Sequence, residues 1–331
     1  MPPRQDTSRL CRTARLPDDG CVAYFQKMPM MPSDLSDPSD RPGAAFQGRG
    51  RQYLSLLACP VDGAPLAMGQ NEAVCVADSA HRYPIEAGIL RLADGGLRAA
   101  LDEMSRQHED DAAAEGWQTP DEEAFKRLPQ TGLKGYPEFH WTQYAEATAV
   151  LWRYLEAIRA ERGALPVGPV GEAAVIGADT GWLAYALDVA GYTTIAIDAY
   201  VGEGYGLGVY PIARYVRVQA DPVHPPLARG AFDIVLFQEG LARSREAADE
   251  AAALARAIEA LRPGGHVVVM DAFPGSIQAV ETLQRQLEQA GLRLMDRPPR
   301  LTWRARMAER VDQVLGRDGS LPPVTVAQKP G

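Results

Sequence analysis

The sequence predicts an α/β protein: a doubly wound, mostly parallel seven-stranded sheet over residues 169–331, preceded by a small β-ribbon module over 51–95. Three observations carry this expectation. After Pro169, short apolar runs alternate with stretches of helical period, the pattern of a parallel sheet covered on both faces. A glycine-bearing turn, Gly177-Ala178-Asp179-Thr180-Gly181, follows the first of those runs. Between Arg51 and Gly95 the apolar runs are shorter, turn residues separate them and no helical period intervenes.

Composition narrows the class before any motif is read. With 46% hydrophobic and 23% charged residues in 331, the chain is too apolar for wholesale disorder. A formal net charge of -9 argues against a general nucleic-acid coat protein, which needs clustered Lys and Arg. Four cysteines in a chain of this length make no disulfide framework. Apolar runs all fall short of the roughly 20 residues that span a bilayer, and the charged N-terminus has no apolar stretch behind it to form a secretory signal. The expectation is a soluble cytoplasmic protein, of unknown oligomeric state and without a membrane partner.

Residues 1–50 are rich in Pro, Asp, Ser, Gly and Arg and show neither period, so they are expected to form a disordered tail, with Cys11 and Cys21 as exposed thiols. Organised sequence begins with YLSLLACPVDGAPL, AVCVAD and HRYPIEAGILRL, which read as three or four short strands. A module of this size needs a metal or a neighbouring domain to be stable. The order Cys-Pro-Val-x-Gly-x-Pro-Leu, a second Cys, then Tyr-Pro-Ile-x-x-Gly-Ile resembles the zinc-ribbon-like tRNA-methyltransferase activator proteins and their small bacterial relatives. That resemblance implies two Cys-x-x-Cys knuckles. Here they read Cys59-Pro60-Val61-Asp62 and Cys75-Val76-Ala77-Asp78, each with one Asp in place of Cys. Structural zinc favours thiolate and imidazole over carboxylate. The expectation is therefore a degenerate ribbon without metal. Cys59, Asp62, Cys75 and Asp78 are its ligands only if it retains zinc, with His81 as a poor substitute.

Residues 96–168 read as an acidic linker and a leading helix. Nine acids against one base lie within 101–123, the pattern of a solvated helix face or linker. From Trp141 onward, Tyr144, Thr148, Leu151, Trp152, Leu155 and Ile158 recur at helical steps up to about Glu161, where Gly163 and Pro166 follow. His140 and Trp141 are read as part of the preceding Pro/Gly-rich loop, with ordinary packing as Trp141's role.

In the core, strands are expected at Ala173–Ile176, Thr194–Ile197, Val216–Gln219, Phe232–Phe237, His266–Met270, Leu292–Met295 and Val324–Ala327. Helices are expected at Trp182–Ala190, Glu246–Leu261 and Ser276–Ala290, with Arg262-Pro263-Gly264-Gly265 as a turn. Gly-x-x-x-Gly-Trp-Leu after the first strand, an acid closing the second, Phe-Asp-Ile-Val in the fourth and Leu-Arg-Pro-Gly-Gly before the fifth together resemble the class I S-adenosylmethionine-dependent methyltransferases. A branch with a Gly-Leu-Gly stretch after the second strand, here Gly206-Leu207-Gly208, is closer still.

The resemblance implies a Rossmann-like sheet and S-adenosylmethionine as cofactor. It assigns Gly177, Ala178, Asp179 and Gly181 to the cofactor's methionine part, Asp198 to the ribose hydroxyls and Asp221 to the adenine amino group, with His224 and Leu227 as walls. Two departures stand out. The acid that leads the family's glycine pattern is Val175, and its middle glycine is Asp179. Glu239, at the fourth-strand exit, stands either as a base toward an amine or hydroxyl or as a solvated loop acid.

The function expected is methyl transfer to a small-molecule or tethered acceptor. Its alternative is a catalytically inactive methyltransferase-like scaffold or partner-binding protein, suggested by the eroded turn and knuckles. A nicotinamide dehydrogenase ranks well behind, because the turn lacks Gly-x-Gly-x-x-Gly spacing. Arg285, Arg293, Arg297, Arg300, Arg304, Arg306 and Arg310 outnumber the nearby acids, but with Trp303 as their one interleaved aromatic they read as helix surface rather than a nucleic-acid site.

Overall fold

The computed structural model describes residues 52–118, 121–129, 138–161, 170–210, 215–239, 241, 247–271, 276–296 and 323–331. The tail with Cys11 and Cys21, and Arg297 to Arg310 of the basic cluster, lie outside the described residues.

The chain opens with four short strands: β1 (Leu66–Met68), β2 (Glu72–Cys75), β3 (Arg82–Glu86) and β4 (Ile89–Arg91). Helices α1 (Gly95–Ala114), α2 (Glu122–Lys126) and α3 (Glu138–Glu161) follow. Then come β5 (Gly171–Ile176), α4 (Trp182–Val189), β6 (Tyr192–Asp198), β7 (Val216–Gln219), β8 (Phe232–Phe237), α5 (Ala247–Ala260), β9 (Leu261–Met270), α6 (Ile277–Gln289), β10 (Arg293–Leu294) and β11 (Val324–Gln328).

The sheet runs β1-β2-β3-β4-β7-β6-β5-β8-β9-β11-β10. Strands β4, β7, β6, β5, β8 and β9 are parallel neighbours, and β11 enters antiparallel to β9 and β10. The seven expected core strands are thus β5 to β11. Their centre is buried on both faces, and Ala173–Ile176, Ile195–Ile197 and Ile234–Phe237 are continuous apolar runs rather than alternating ones, as a sheet covered on both sides requires.

Three elements differ from the sequence reading. The ribbon continues into the sheet, because β4 pairs parallel with β7 from Ile89↔Arg217 to Arg91↔Gln219. The acidic run, by contrast, takes the helical one of its two expected forms over most of its length: α1 is capped by Asp94, whose carboxylate accepts from Leu97 N at 2.9 Å. Arg262-Pro263-Gly264-Gly265 lies within β9. Its partner register jumps from Phe232↔Leu261 to Ile234↔His266, a bulge, and Gly264 N donates to Lys329 O while Gly265 O accepts from Lys329 N. In addition, α3 starts at Glu138, so Trp141 is a buried helical residue rather than part of a loop.

Candidate functional site

Strand order reverses at β5, which lies between β6 and β8. At such a point the loops leaving adjacent parallel strands diverge to opposite faces, and a crevice opens at the carboxyl ends. The residues delivered there are the turn 177–181 after β5, Asp198 at the end of β6, and Gln238 and Glu239 after β8.

The turn departs from right-handed backbone three times, at Gly177 (φ +67), Asp179 (φ +52) and Gly181 (φ +81). Asp is among the few non-glycine residues that enter this region readily, which explains how it occupies a glycine position. At Gly181 a Cβ would collide with the hydroxyl of buried Tyr215. Asp198 is fully enclosed. Its Oδ2 accepts from Asp179 N at 2.7 Å and its Oδ1 from Tyr200 N at 3.1 Å. The acid that closes β6 therefore holds the turn from below, while β5 carries the apolar Val175 just ahead of it.

Three buried side chains in this region have polar atoms without a hydrogen-bond partner among the described residues. They are Thr180, through Oγ1, Gln238, through both amide atoms, and Tyr215, through its hydroxyl; each residue is 1% exposed. Gln238 N donates to Ile176 O at 3.0 Å, which sets it level with the start of the turn. Unpaired buried polar groups each cost about 1–3 kcal/mol, so their presence at one crevice marks where a ligand or water completes the site.

Glu239 is engaged by the leading helix: Tyr144 Oη donates to its Oε1 at 2.7 Å. Tyr144 is in turn packed between Trp141 and Trp182, at ring separations of 5.5 and 6.1 Å. Asp221 is held locally. Its Oδ1 accepts from Val223 N at 2.9 Å, and its Oδ2 lies 2.8 Å from His224 Nδ1. Leu227 bridges to Leu57 of the segment that precedes β1. Tyr144 was not legible as a site residue, because it sits in a stripe of core positions and its acidic partner is 95 residues away.

A second constellation lies in the ribbon. Cys59 Sγ, Asp62, Cys75 Sγ and His81 present donor atoms within 4.8 Å of one another. Cys59 Sγ is 3.6 Å from His81 Nδ1, Asp62 Oδ2 is 3.1 Å from the same nitrogen, and Cys75 Sγ is 3.2 Å from Asp62 Oδ2. The Ala64 amide, with help from the neighbouring thiols and imidazole, holds the Asp62 carboxyl down at about 2. Burial pushes the Cys75 thiol up, and the adjacent Asp62 carboxylate adds to this. Asp78 stands behind the group, its Oδ2 3.8 Å from His81 Nε2, so the structure gathers His81 rather than Asp78 with the two cysteines.

No protein-family model matches the chain, and no curated protein matches it. Solved structures do. The Burkholderia thailandensis 1,6-didemethyltoxoflavin-N1-methyltransferase is 20% identical, over 81% of this chain and 100% of that one, with a TM-score of 0.38. The Haemonchus contortus phosphoethanolamine N-methyltransferase 2 is 15% identical, over 54% of this chain and 53% of its own, with a TM-score of 0.35. The chain therefore spans about half the length of the Haemonchus protein. An S-adenosylmethionine-dependent methyltransferase from Mesorhizobium loti is 16% identical, over 54% and 98%, with a TM-score of 0.36. Among the described residues, no helix is long and apolar enough to cross a membrane.

Proposed function

We propose that the chain is an S-adenosylmethionine-dependent methyltransferase acting on a small-molecule or tethered acceptor. The observation that carries this reading is the placing of the buried, unpartnered polar side chains of Thr180 and Gln238 beside a glycine-bearing turn at the reversal of strand order. The residues fit a cofactor that is polar along its length. When bound, it supplies a methyl group on a sulfonium sulfur, open to in-line displacement, so the protein's part is chiefly positioning.

The turn 177–181 brings backbone close to the cofactor's amino-acid end, with Thr180 and Gln238 as hydrogen-bonding groups for it. Asp198 fixes the turn through Asp179 N and the following loop through Tyr200 N. Its carboxylate is the acceptor for the ribose hydroxyls. Asp221 and His224 form the adenine edge. Glu239 is the proton acceptor for an amine or hydroxyl nucleophile, and the Tyr144 hydroxyl orients its carboxylate.

Calorimetric titration of S-adenosylmethionine and its demethylated product into the full chain tests this. Saturable binding is expected in the parent. Asp198→Ala loses it, while Glu239→Gln retains it because that carboxylate serves the acceptor. A folded parent that releases no heat at saturating cofactor would overturn the enzyme reading in favour of a non-catalytic scaffold.

A further inference from the structure

We propose that Cys59, Asp62, Cys75 and His81 form a tetrahedral zinc site, with Asp78 as the positioning partner of the histidine. The donor set is two sulfurs, one imidazole nitrogen and one carboxylate oxygen, all ligand types that zinc accepts. Zinc bonds of 2.0–2.3 Å at tetrahedral angles place donors roughly 3.3–3.8 Å apart. Three of the six donor separations, 3.1, 3.2 and 3.6 Å, lie near that span, and all six fall within 4.8 Å.

The backbone explains why the fourth ligand lies six residues after Cys75 rather than three. Asp78 accepts from Ala80 N through its side chain and from His81 N through its carbonyl, a tight turn that folds the chain back. Cys75 N then donates to His81 O at 3.0 Å, setting the thiol and imidazole side by side. Asp78 is left facing the far ring nitrogen. A carboxylate there is the usual device for fixing a ligating imidazole's tautomer.

The surroundings suit a loaded site. Cys59 and Cys75 are buried, whereas Asp62 and His81 are open enough to admit an ion. The Tyr83 hydroxyl lies 3.0 Å from Cys59 Sγ, placed to donate to a ligating thiolate. The site also reaches toward the crevice. Ala58 N, next to Cys59, donates to Pro226 O, and Ala228 N donates to Leu56 O. These bonds tie the cage to the loop that follows Asp221 and His224. A filled site would thus brace that loop. This last consequence rests on the proposed function, whereas the metal site itself does not.

The test uses the full chain with Cys11→Ser and Cys21→Ser, so that the remaining thiols belong to the site. After equilibration with zinc and desalting, plasma mass spectrometry should find one zinc per chain. Cobalt in its place should show thiolate charge-transfer bands and the d–d bands of a tetrahedral ion. Cys59→Ser, Cys75→Ser and His81→Ala should lose the metal. Asp78→Asn should keep it at an affinity about 10–100-fold lower, read by competition with a chromophoric chelator. His81→Ala keeps the test decisive if the buried cysteine variants fail to fold, since that side chain is partly exposed. A folded parent that retains no zinc overturns the proposal, as does metal retained by His81→Ala but lost from Asp78→Asn. Stoichiometric zinc in a chain that binds no cofactor would uphold this site while sinking the methyltransferase reading.

Discussion

Arg217 is a cation in the middle of β7, 2% exposed, and burial depresses its pKa. Its Nη1 donates to Leu207 O at 2.8 Å and its Nη2 to Ala87 O at 3.0 Å. One side chain therefore ties the Gly-Leu-Gly stretch to the turn between β3 and β4. Arg217→Met would leave the buried Leu207 carbonyl unpaired and free the exposed Ala87 carbonyl to water, and we expect a loss of about 1–3 kcal/mol in urea unfolding. A loss under about 0.5 kcal/mol, the scale of an ordinary surface substitution, would show that those bonds are replaceable. The same loop explains Gly208: a Cβ there would lie 2.6 Å from the carbonyl oxygens of Val201 and Gly202. The sequence singled out this stretch by resemblance alone. Its physical reason is a loop folded against itself. Site residues divide the same way. The turn at Asp179 and the acid at Asp198 are legible, because a turn after one strand and an acid ending the next are local signals. The pairing of Tyr144 with Glu239 is not, because its partners lie 95 residues apart, and His81 reads from sequence only as a poor substitute ligand because its approach to Cys59 spans 22 residues.

The helix α1 shows what an element's pattern leaves open. Nine acids within 101–123 read as a solvated run, yet one face of the helix is bonded throughout. Asp102 pairs with Arg91 and accepts from Gln219, Ser105 Oγ accepts from Val201 N, and Glu109 Oε1 accepts from Gly204 N. Positions 102, 105 and 109 lie three and four apart, on one stripe. His108, beside them, stacks on Tyr200 at 4.1 Å. The acidic face thus caps donors in the loop that follows Asp198. Asp94→Ala removes the helix cap, and about 1 kcal/mol of stability should be lost with it. Hydrogen exchange should quicken first at Val201 and Gly204, whose amides the helix holds. Unchanged protection at both would mean that the loop is ordered without α1. Periodicity located the helix-forming stretches well elsewhere, with α4, α5 and α6 within one residue of expectation at most ends. It has no access to the chemistry of a loop some 95 residues downstream.

At the scale of the whole molecule, the ribbon and the sheet share one apolar cluster. Tyr53, Leu57, Tyr83, Ile85 and Leu90 are buried in continuity with Ile197, Val218 and Ala220. Removing residues 1–94 would bare the edge of β7 and strip that side of the core, and unpaired parallel edges aggregate. We expect the 95–331 fragment to be insoluble or to unfold without cooperativity, while the longer chain unfolds cooperatively. Urea titration followed by tryptophan fluorescence decides it, and a soluble fragment with a sharp transition would make the ribbon a separable module.

The seven core strands, their alternation with helices, the glycine-bearing turn and the acid closing β6 were all determined by the sequence. Each is a pattern within a few residues, where backbone sterics and hydrophobic period act directly. The tertiary structure decided the rest: Asp198 beneath Asp179, Tyr144 on Glu239, His81 in place of Asp78, and β4 against β7. Those outcomes depend on which distant segments approach to hydrogen-bonding distance, and that is set by packing the whole core rather than by any local spacing.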